Sequence, residues 1–152
     1  MAKKKEEEKL NYNAELRRLK QQGPERLYLL WGQEDYLREQ YLGQLKALCL
    51  PEGEDSFSYK RMDGPELDLT ELQNAIDAMP FMTERSFVEI RDADLNKLKE
   101  PEKLIKILSD IPDYCTVAFV QSAQYELDGR MKLIKYLKSE GRELKFTQAA
   151  QG

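Results

Sequence analysis

Short runs of apolar residues alternate along this chain with longer segments in which apolar residues recur every three or four positions. Runs of the first kind are typical of strands buried on both faces, and segments of the second kind are typical of amphipathic helices. A helix between two strands favours parallel pairing, because it returns the chain to the edge where the next strand begins. The pattern predicts an α/β fold with a five-stranded parallel sheet and helices on both faces.

Turn residues and apolar content define the predicted strands. Gly32 ends the first apolar run, and Asp63-Gly64-Pro65 ends the second. The fourth run contains the continuous apolar core Val117 to Val120, as expected of a buried strand. We place the strands at Leu27–Trp31, Ser56–Met62, Ser86–Arg91, Cys115–Gln121 and Glu143–Thr147.

Capping residues indicate where the helices begin and end. Asn13 is the predicted N-cap of the first helix, and Asp128 that of the last. Asp68 and Glu71 form a capping-box pattern that opens a helix over residues 69–79, which Pro80 stops. The apolar helix positions expected to face the core are Leu16, Leu19, Leu37, Tyr41, Leu45, Leu48, Leu72, Ala75, Ile76, Met79, Leu104, Ile105, Leu108, Ile111, Met131, Leu133, Ile134 and Leu137.

Composition excludes several classes of function. The chain has 152 residues, a net charge of −4, no histidine and two cysteines, Cys49 and Cys115. It has no basic excess for autonomous binding to nucleic acid or anionic membranes, and no cluster with metal-ligand spacing. We expect both cysteines to be reduced core thiols, and we expect a soluble cytoplasmic protein that does not enter a membrane.

The predicted domain occupies residues 10–148. Residues 1–9 form a mixed-charge segment with nothing to bury, for which we expect a disordered leader. Residues 149–152 are expected to be a tail.

The turn after the first predicted strand is where a doubly wound fold would bind phosphate. It contains Gly32 but lacks the second glycine, the lysine and the Ser/Thr of a phosphate loop. Glu34 and Asp35 stand instead at the start of the helix, where carboxylates satisfy the dipole and repel phosphate. We therefore expect a nucleotide-binding fold whose site has been lost, and no cofactor.

Catalytic groups cannot be singled out from the sequence. Asp92 and Asp94 follow the third strand, but acids at a strand end are common, and we give a metal role there little weight. Without histidine or an activated nucleophile, we expect no intrinsic catalysis. An enzyme or nucleotide switch of P-loop ancestry that uses other residues stays open as an alternative.

Two large apolar side chains, Phe81 and Met82, directly follow Pro80. Such a pair between elements either folds back as a lid over Met79 and Ile76 or stays exposed as an anchor for a protein partner. The residues alone leave both alternatives open.

Four segments together resemble a known family. The segments are Tyr28 to Leu37, Asp63-Gly64, Ala78 to Arg85 and the strand Ser86 to Arg91. Their order and spacing are similar to those in the N-terminal domain of the delta subunit of bacterial DNA polymerase III. The resemblance covers about Leu10 to Thr147. It implies an AAA+-like domain without a working phosphate loop, and a fragment of a longer subunit.

The resemblance also implies a site and partners. In the family, a helix that ends in Met and two hydrophobic residues after it enter a pocket of the sliding clamp and help to open it. Met79, Pro80, Phe81 and Met82 take these positions, although Met82 departs from the usual Leu-Phe or Phe-Phe pair. The implied partners are the sliding clamp (beta subunit) and, in the full-length protein, the other clamp-loader subunits of the DNA polymerase III holoenzyme. DNA contact is expected only within that assembly. A scaffold module unrelated to replication is a further alternative.

Overall fold

A computed structural model of the chain describes residues 10–54 and 56–147, so the expected leader and tail lie outside the described residues. Within these ranges the helices are α1 (Tyr12–Gln22), α2 (Asp35–Cys49), α3 (Leu69–Asp77), α4 (Pro101–Leu108) and α5 (Lys132–Glu140). The strands are β1 (Leu27–Gly32), β2 (Tyr59–Asp63), β3 (Ser86–Arg91), β4 (Cys115–Val120) and β5 (Arg142–Phe146). Single turns of 3₁₀ helix follow β2 at Gly64–Glu66 and β3 at Leu95–Lys97.

The strands form one parallel sheet in the order β2-β3-β4-β1-β5. Strand β1 lies between β4 and β5, and Leu29 pairs with Phe119 on one side and with Glu143 on the other. Helices connect successive strands, as parallel pairing requires. The predicted five-stranded parallel α/β fold is confirmed.

The sheet has a helical layer on each face. Successive residues of a strand point to opposite faces. Tyr28 and Leu30 accordingly pack with α1 and α2, whereas Leu27, Leu29 and Trp31 pack with α3, α4 and α5. Every residue of β1 is therefore buried, which explains its continuous apolar run.

Two predicted helix caps are wrong. Asn11, not Asn13, caps α1, because its Oδ1 accepts the Ala14 amide at 3.0 Å. Asp128 lies before α5 in a separate turn, where its carboxylate accepts the Arg130 amide at 3.0 Å, and Met131 precedes the helix. Asn13 has the same capping chemistry as Asn11 and lies two residues from it, whereas α5 has no side-chain cap and Asp128 closes the turn before it.

Helix α3 ends at Asp77, before the predicted position 79, and Met79 lies in solvent with 77% of its surface exposed. The predicted core position Leu48 is also 43% exposed. Helix α4 ends at Leu108, while Ile111 reaches the core from the following turn.

The predicted second strand begins too early. Residues 56–58 form a turn, because the Tyr59 amide donates to the Ser56 carbonyl and the Ser58 amide donates to the Ser56 hydroxyl. The other strand bounds agree with prediction to within one residue, and no helix in the described part of the chain has the length and apolarity that a bilayer span requires.

Candidate functional site

The parallel sheet separates two edges that could carry function. The connection from β1 to α2 lies at the carboxyl ends of the strands, where ligands of doubly wound folds bind. The segments 56–58 and 78–85 lead into β2 and β3, so they lie at the amino ends. We call these the carboxyl edge and the amino edge.

At the carboxyl edge, the β1–α2 connection has only two residues, Gln33 and Glu34. The Glu34 amide donates to the Phe146 carbonyl at 2.9 Å. An amide that a phosphate loop would leave free for its ligand is therefore already hydrogen-bonded to β5. Gly32 has a φ of 118°, and a Cβ there would lie 2.3 Å from the Phe146 carbonyl oxygen. The connection is closed onto β5 by close backbone contact.

The start of α2 carries charged side chains of its own. Arg38 is 2% exposed, donates to the Gly32 carbonyl at 3.1 Å, and pairs with Asp35 at 2.8 Å. Because Glu34 and Asp35 bring two carboxylates to the helix N-terminus, an incoming phosphate would meet like charge. This geometry supports the expectation that the edge does not bind nucleotide.

Asp92 has a structural role at the same edge. Its carboxylate accepts the Ser122 amide at 2.7 Å and the Ser122 hydroxyl at 3.0 Å, which ties the segment after β3 to the segment after β4. Asp94 lies at the start of the following 3₁₀ turn without capping it. In residues 10–54 and 56–147, no three His, Cys, Asp or Glu side chains are grouped so that they could hold a metal ion.

A buried ion network lies between α2 and β3, and the sequence did not predict it. Glu89 is fully buried and accepts hydrogen bonds from Lys46 Nζ at 2.8 Å, Tyr59 Oη at 2.6 Å and Arg91 at 3.0 Å. Burial alone would raise the pKa of Glu89, but these donors outweigh it and hold that pKa below its usual range. Burial and the neighbouring carboxylate together raise the pKa of Tyr59 to about 12. A carboxylate that is ionised and satisfied in this way is suited to holding elements together.

The amino edge carries four exposed apolar side chains, which we call the apolar tip. Their exposed fractions are 89% for Phe57, 77% for Met79, 62% for Phe81 and 79% for Met82. The rings of Phe57 and Phe81 meet edge to face with centroids 6.2 Å apart. Phe81 and Met82 therefore do not fold back over the core, and the lid alternative is wrong.

The hydroxyl groups of Ser58, which is buried, and Thr83, which is half-buried, hold the apolar tip from beneath. The Phe81 amide donates to Ser58 Oγ at 3.3 Å, Ser58 Oγ lies 2.7 Å from Thr83 Oγ1, and the Thr83 hydroxyl donates to the Arg85 carbonyl at 3.0 Å. Because the Thr83 proton is directed to Arg85, the Ser58 hydroxyl is the donor to Thr83. At Met82 the backbone has a φ of 62°, which is uncommon for a residue other than glycine. The loop is thus fixed by hydrogen bonds while its large side chains point outward.

The predicted site residues Met79, Pro80, Phe81 and Met82 lie together at the amino edge, and their role in binding stays a prediction. Phe57 was missed because it fell inside a predicted strand, where an aromatic residue is expected to be buried. Within the turn that exposes it, the Ser58 amide donates to the Ser56 hydroxyl, and the two serines that flank Phe57 were the available signal.

Comparison with known proteins gives three results. The family model "DNA polymerase III, delta subunit" matches residues 28–147. The DNA clamp loader delta protein of Bacillus subtilis superposes with a TM-score of 0.77 at 21% identity, covering 90% of this chain and 42% of that chain. A DNA polymerase III gamma subunit-related protein of Thermotoga maritima superposes with a TM-score of 0.57 at 13% identity, covering 90% of this chain and 45% of that one.

At these identities the two structures show a shared fold only. The present chain spans less than half the length of either of them. No curated protein sequence matches it.

Proposed function

The chain belongs to the DNA polymerase III delta subunit family, and we propose that its apolar tip binds the sliding clamp and helps to open it during DNA replication. The observation that carries this proposal is the exposure of Phe81 and Met82 on a hydrogen-bonded loop. A contiguous cluster of exposed apolar side chains is typical of a protein-binding surface.

The apolar tip suits a pocket in a partner protein. Full burial of a side chain such as Phe or Met stabilises by roughly 1.5–3 kcal/mol. Since Phe81 and Met82 are already fixed in an exposed position, little ordering of the loop would oppose binding. Met82 also adapts its shape readily to an irregular pocket. Clamp opening would follow if the tip binds an open clamp interface better than a closed one, because a ligand shifts an equilibrium only by its differential affinity.

The carboxyl edge supports the rest of the proposal. With the β1–α2 connection closed onto β5, we propose that this domain neither binds ATP nor catalyses a reaction, and that ATP acts on other clamp-loader subunits. The domain would act in the cytoplasm within the DNA polymerase III holoenzyme, and contact with DNA would arise only in that assembly.

A binding titration tests the proposal. The 152-residue chain is titrated into the sliding clamp of the same replication system by calorimetry, and the double substitution Phe81→Ala/Met82→Ala is compared with it. Hot-spot truncations commonly cost at least about 2 kcal/mol each, so we expect binding to weaken by about two orders of magnitude or more. Because both side chains are exposed, the thermal midpoint of the double variant should change little.

Tyr36→Ala is the matched control. Tyr36 is 66% exposed and lies at the start of α2, at the carboxyl edge, so its removal should leave clamp affinity unchanged. Failure of the parent chain to bind the clamp, full binding by the double variant, or unfolding of that variant would each contradict the proposal.

A further inference from the structure

We propose that Phe57 is a third anchor of the clamp-binding surface, supplied by the turn before β2 and not by the loop that carries Phe81. This inference rests on the proposed function and extends it to a second segment of the chain. Phe57 would enter an apolar pocket of the sliding clamp, continuous with the one that receives Phe81 and Met82.

The exposure of Phe57 is the first argument. With 89% of its surface exposed, it is the most exposed large hydrophobic residue in the described part of the chain. Its ring contacts the ring of Phe81, and the two form one aromatic surface. Exposed aromatic side chains that pair with each other are typical of binding hot spots.

The backbone fixes Phe57 relative to Phe81. The neighbouring residue Ser58 accepts the Phe87 amide at 2.8 Å through its carbonyl, which anchors the turn to β3. Its hydroxyl accepts the Phe81 amide and donates to Thr83. One serine therefore connects the turn that carries Phe57 to the loop that carries Phe81, and a pocket that receives one ring comes within contact of the other.

A groove lies beside Phe57. It has a volume of about 320 Å³, and its lining includes the apolar residues Phe57 and Met79 together with the polar residues Lys60, Glu71 and Asn74. The groove therefore brings both apolar surface and polar groups beside the proposed third anchor.

Substitution of Phe57 tests the inference. In the same calorimetric titration with the sliding clamp, Phe57→Ala should weaken binding at least about tenfold, as expected for loss of a hot-spot ring. Phe57→Leu, which retains an apolar side chain, should recover most of the affinity. Tyr36→Ala again provides the exposed aromatic control. In a double-mutant cycle, Phe57→Ala and Phe81→Ala should be non-additive, because the two rings touch.

The outcomes separate this inference from the proposed function. If Phe81→Ala/Met82→Ala abolishes binding while Phe57→Ala leaves it unchanged, the third anchor is wrong and the proposed function stands. If the parent chain does not bind the clamp, both are wrong. The alternative partner for this surface is a second copy of the chain, which sedimentation velocity would detect as a dimer. Dimers that dissociate on Phe57→Ala, with clamp affinity unchanged, would overturn the inference.

Discussion

Removal of the charge on Glu89 should destabilise the domain although the substitution keeps the shape of the side chain. Glu89→Gln leaves Lys46 and Arg91 in place, with side chains that are only 13% and 17% exposed. Breaking a buried ion pair by removing one partner costs about 3–5 kcal/mol. Lys46 keeps Glu54 at 2.7 Å and Arg91 keeps Glu39 at 2.6 Å, so each cation retains one carboxylate. We therefore expect the lower end of that range, about 3 kcal/mol.

Urea unfolding at pH 7 measures this loss directly. Thermal unfolding gives a second measurement. In a domain of this size 1 kcal/mol shifts the thermal midpoint by roughly 2–4 °C, so the thermal midpoint of Glu89→Gln should fall by about 6–12 °C. Glu66→Gln makes the same chemical change at an exposed position and should leave stability within about 0.5 kcal/mol of the parent.

The pH dependence gives an independent measurement. Because the pKa of Glu89 is lower in the folded chain than in the unfolded chain, its stabilisation is fully present above the ordinary pKa of glutamate. It is lost as pH falls through the lowered pKa of the folded state. The difference in unfolding free energy between the parent and Glu89→Gln should therefore shrink as pH is lowered below about 4.3. A loss under about 1 kcal/mol at pH 7, or a difference that stays constant down to pH 3, would refute the reasoning.

Two further predictions concern the carboxyl edge. Calorimetric titration with magnesium and ATP should show no binding tighter than about 1 mM, and hydrolysis that disappears on Glu34→Gln or Asp92→Asn would revive the alternative of a nucleotide-binding enzyme. Gly32→Ala should cost at least about 1–3 kcal/mol in urea unfolding, because the added Cβ would meet the Phe146 backbone at a positive φ. Gly43→Ala in α2 is the matched control and should stabilise by about 0.5–1 kcal/mol, since nothing lies within 4 Å of its Cβ position. Equal effects at the two glycines would contradict the described closure of the β1–α2 connection.

The sequence predicted the sheet well because burial on both faces imposes continuous apolar runs. Strands β1 and β3 were placed to within one residue for this reason. Helix ends were less predictable. Asn11 and Asn13 have the same capping chemistry, and in the structure Asn11 caps the helix while Tyr12, in its first turn, packs into the core. The ion network was missed because Glu89 and Lys46 are 43 residues apart, and a charged residue gives no local sign of a distant partner.

The candidate site was only partly predictable. Pro80 indicated that the helix could not continue past it, and the resemblance predicts Phe81 and Met82 as the binding pair, a role that stays a prediction. Whether that pair faces solvent depends on hydroxyl contacts between two segments, and local patterns do not encode such contacts. The exposure of Phe57 likewise accompanies hydrogen bonds of Ser56 and Ser58 that local patterns do not encode.

The distance between the two edges provides a means of testing the proposed binding to the clamp. Strands of five or six residues span roughly 17–20 Å. A fluorophore attached at the carboxyl edge would therefore lie clear of a clamp docked on the amino edge. The chain has two cysteines, both are buried, and burial raises the pKa of the Cys49 thiol and slows its alkylation. Because Gln33 is exposed, Gln33→Cys would create a thiol that maleimide dyes reach first, so that binding could be followed by anisotropy with the contact surface left unlabelled.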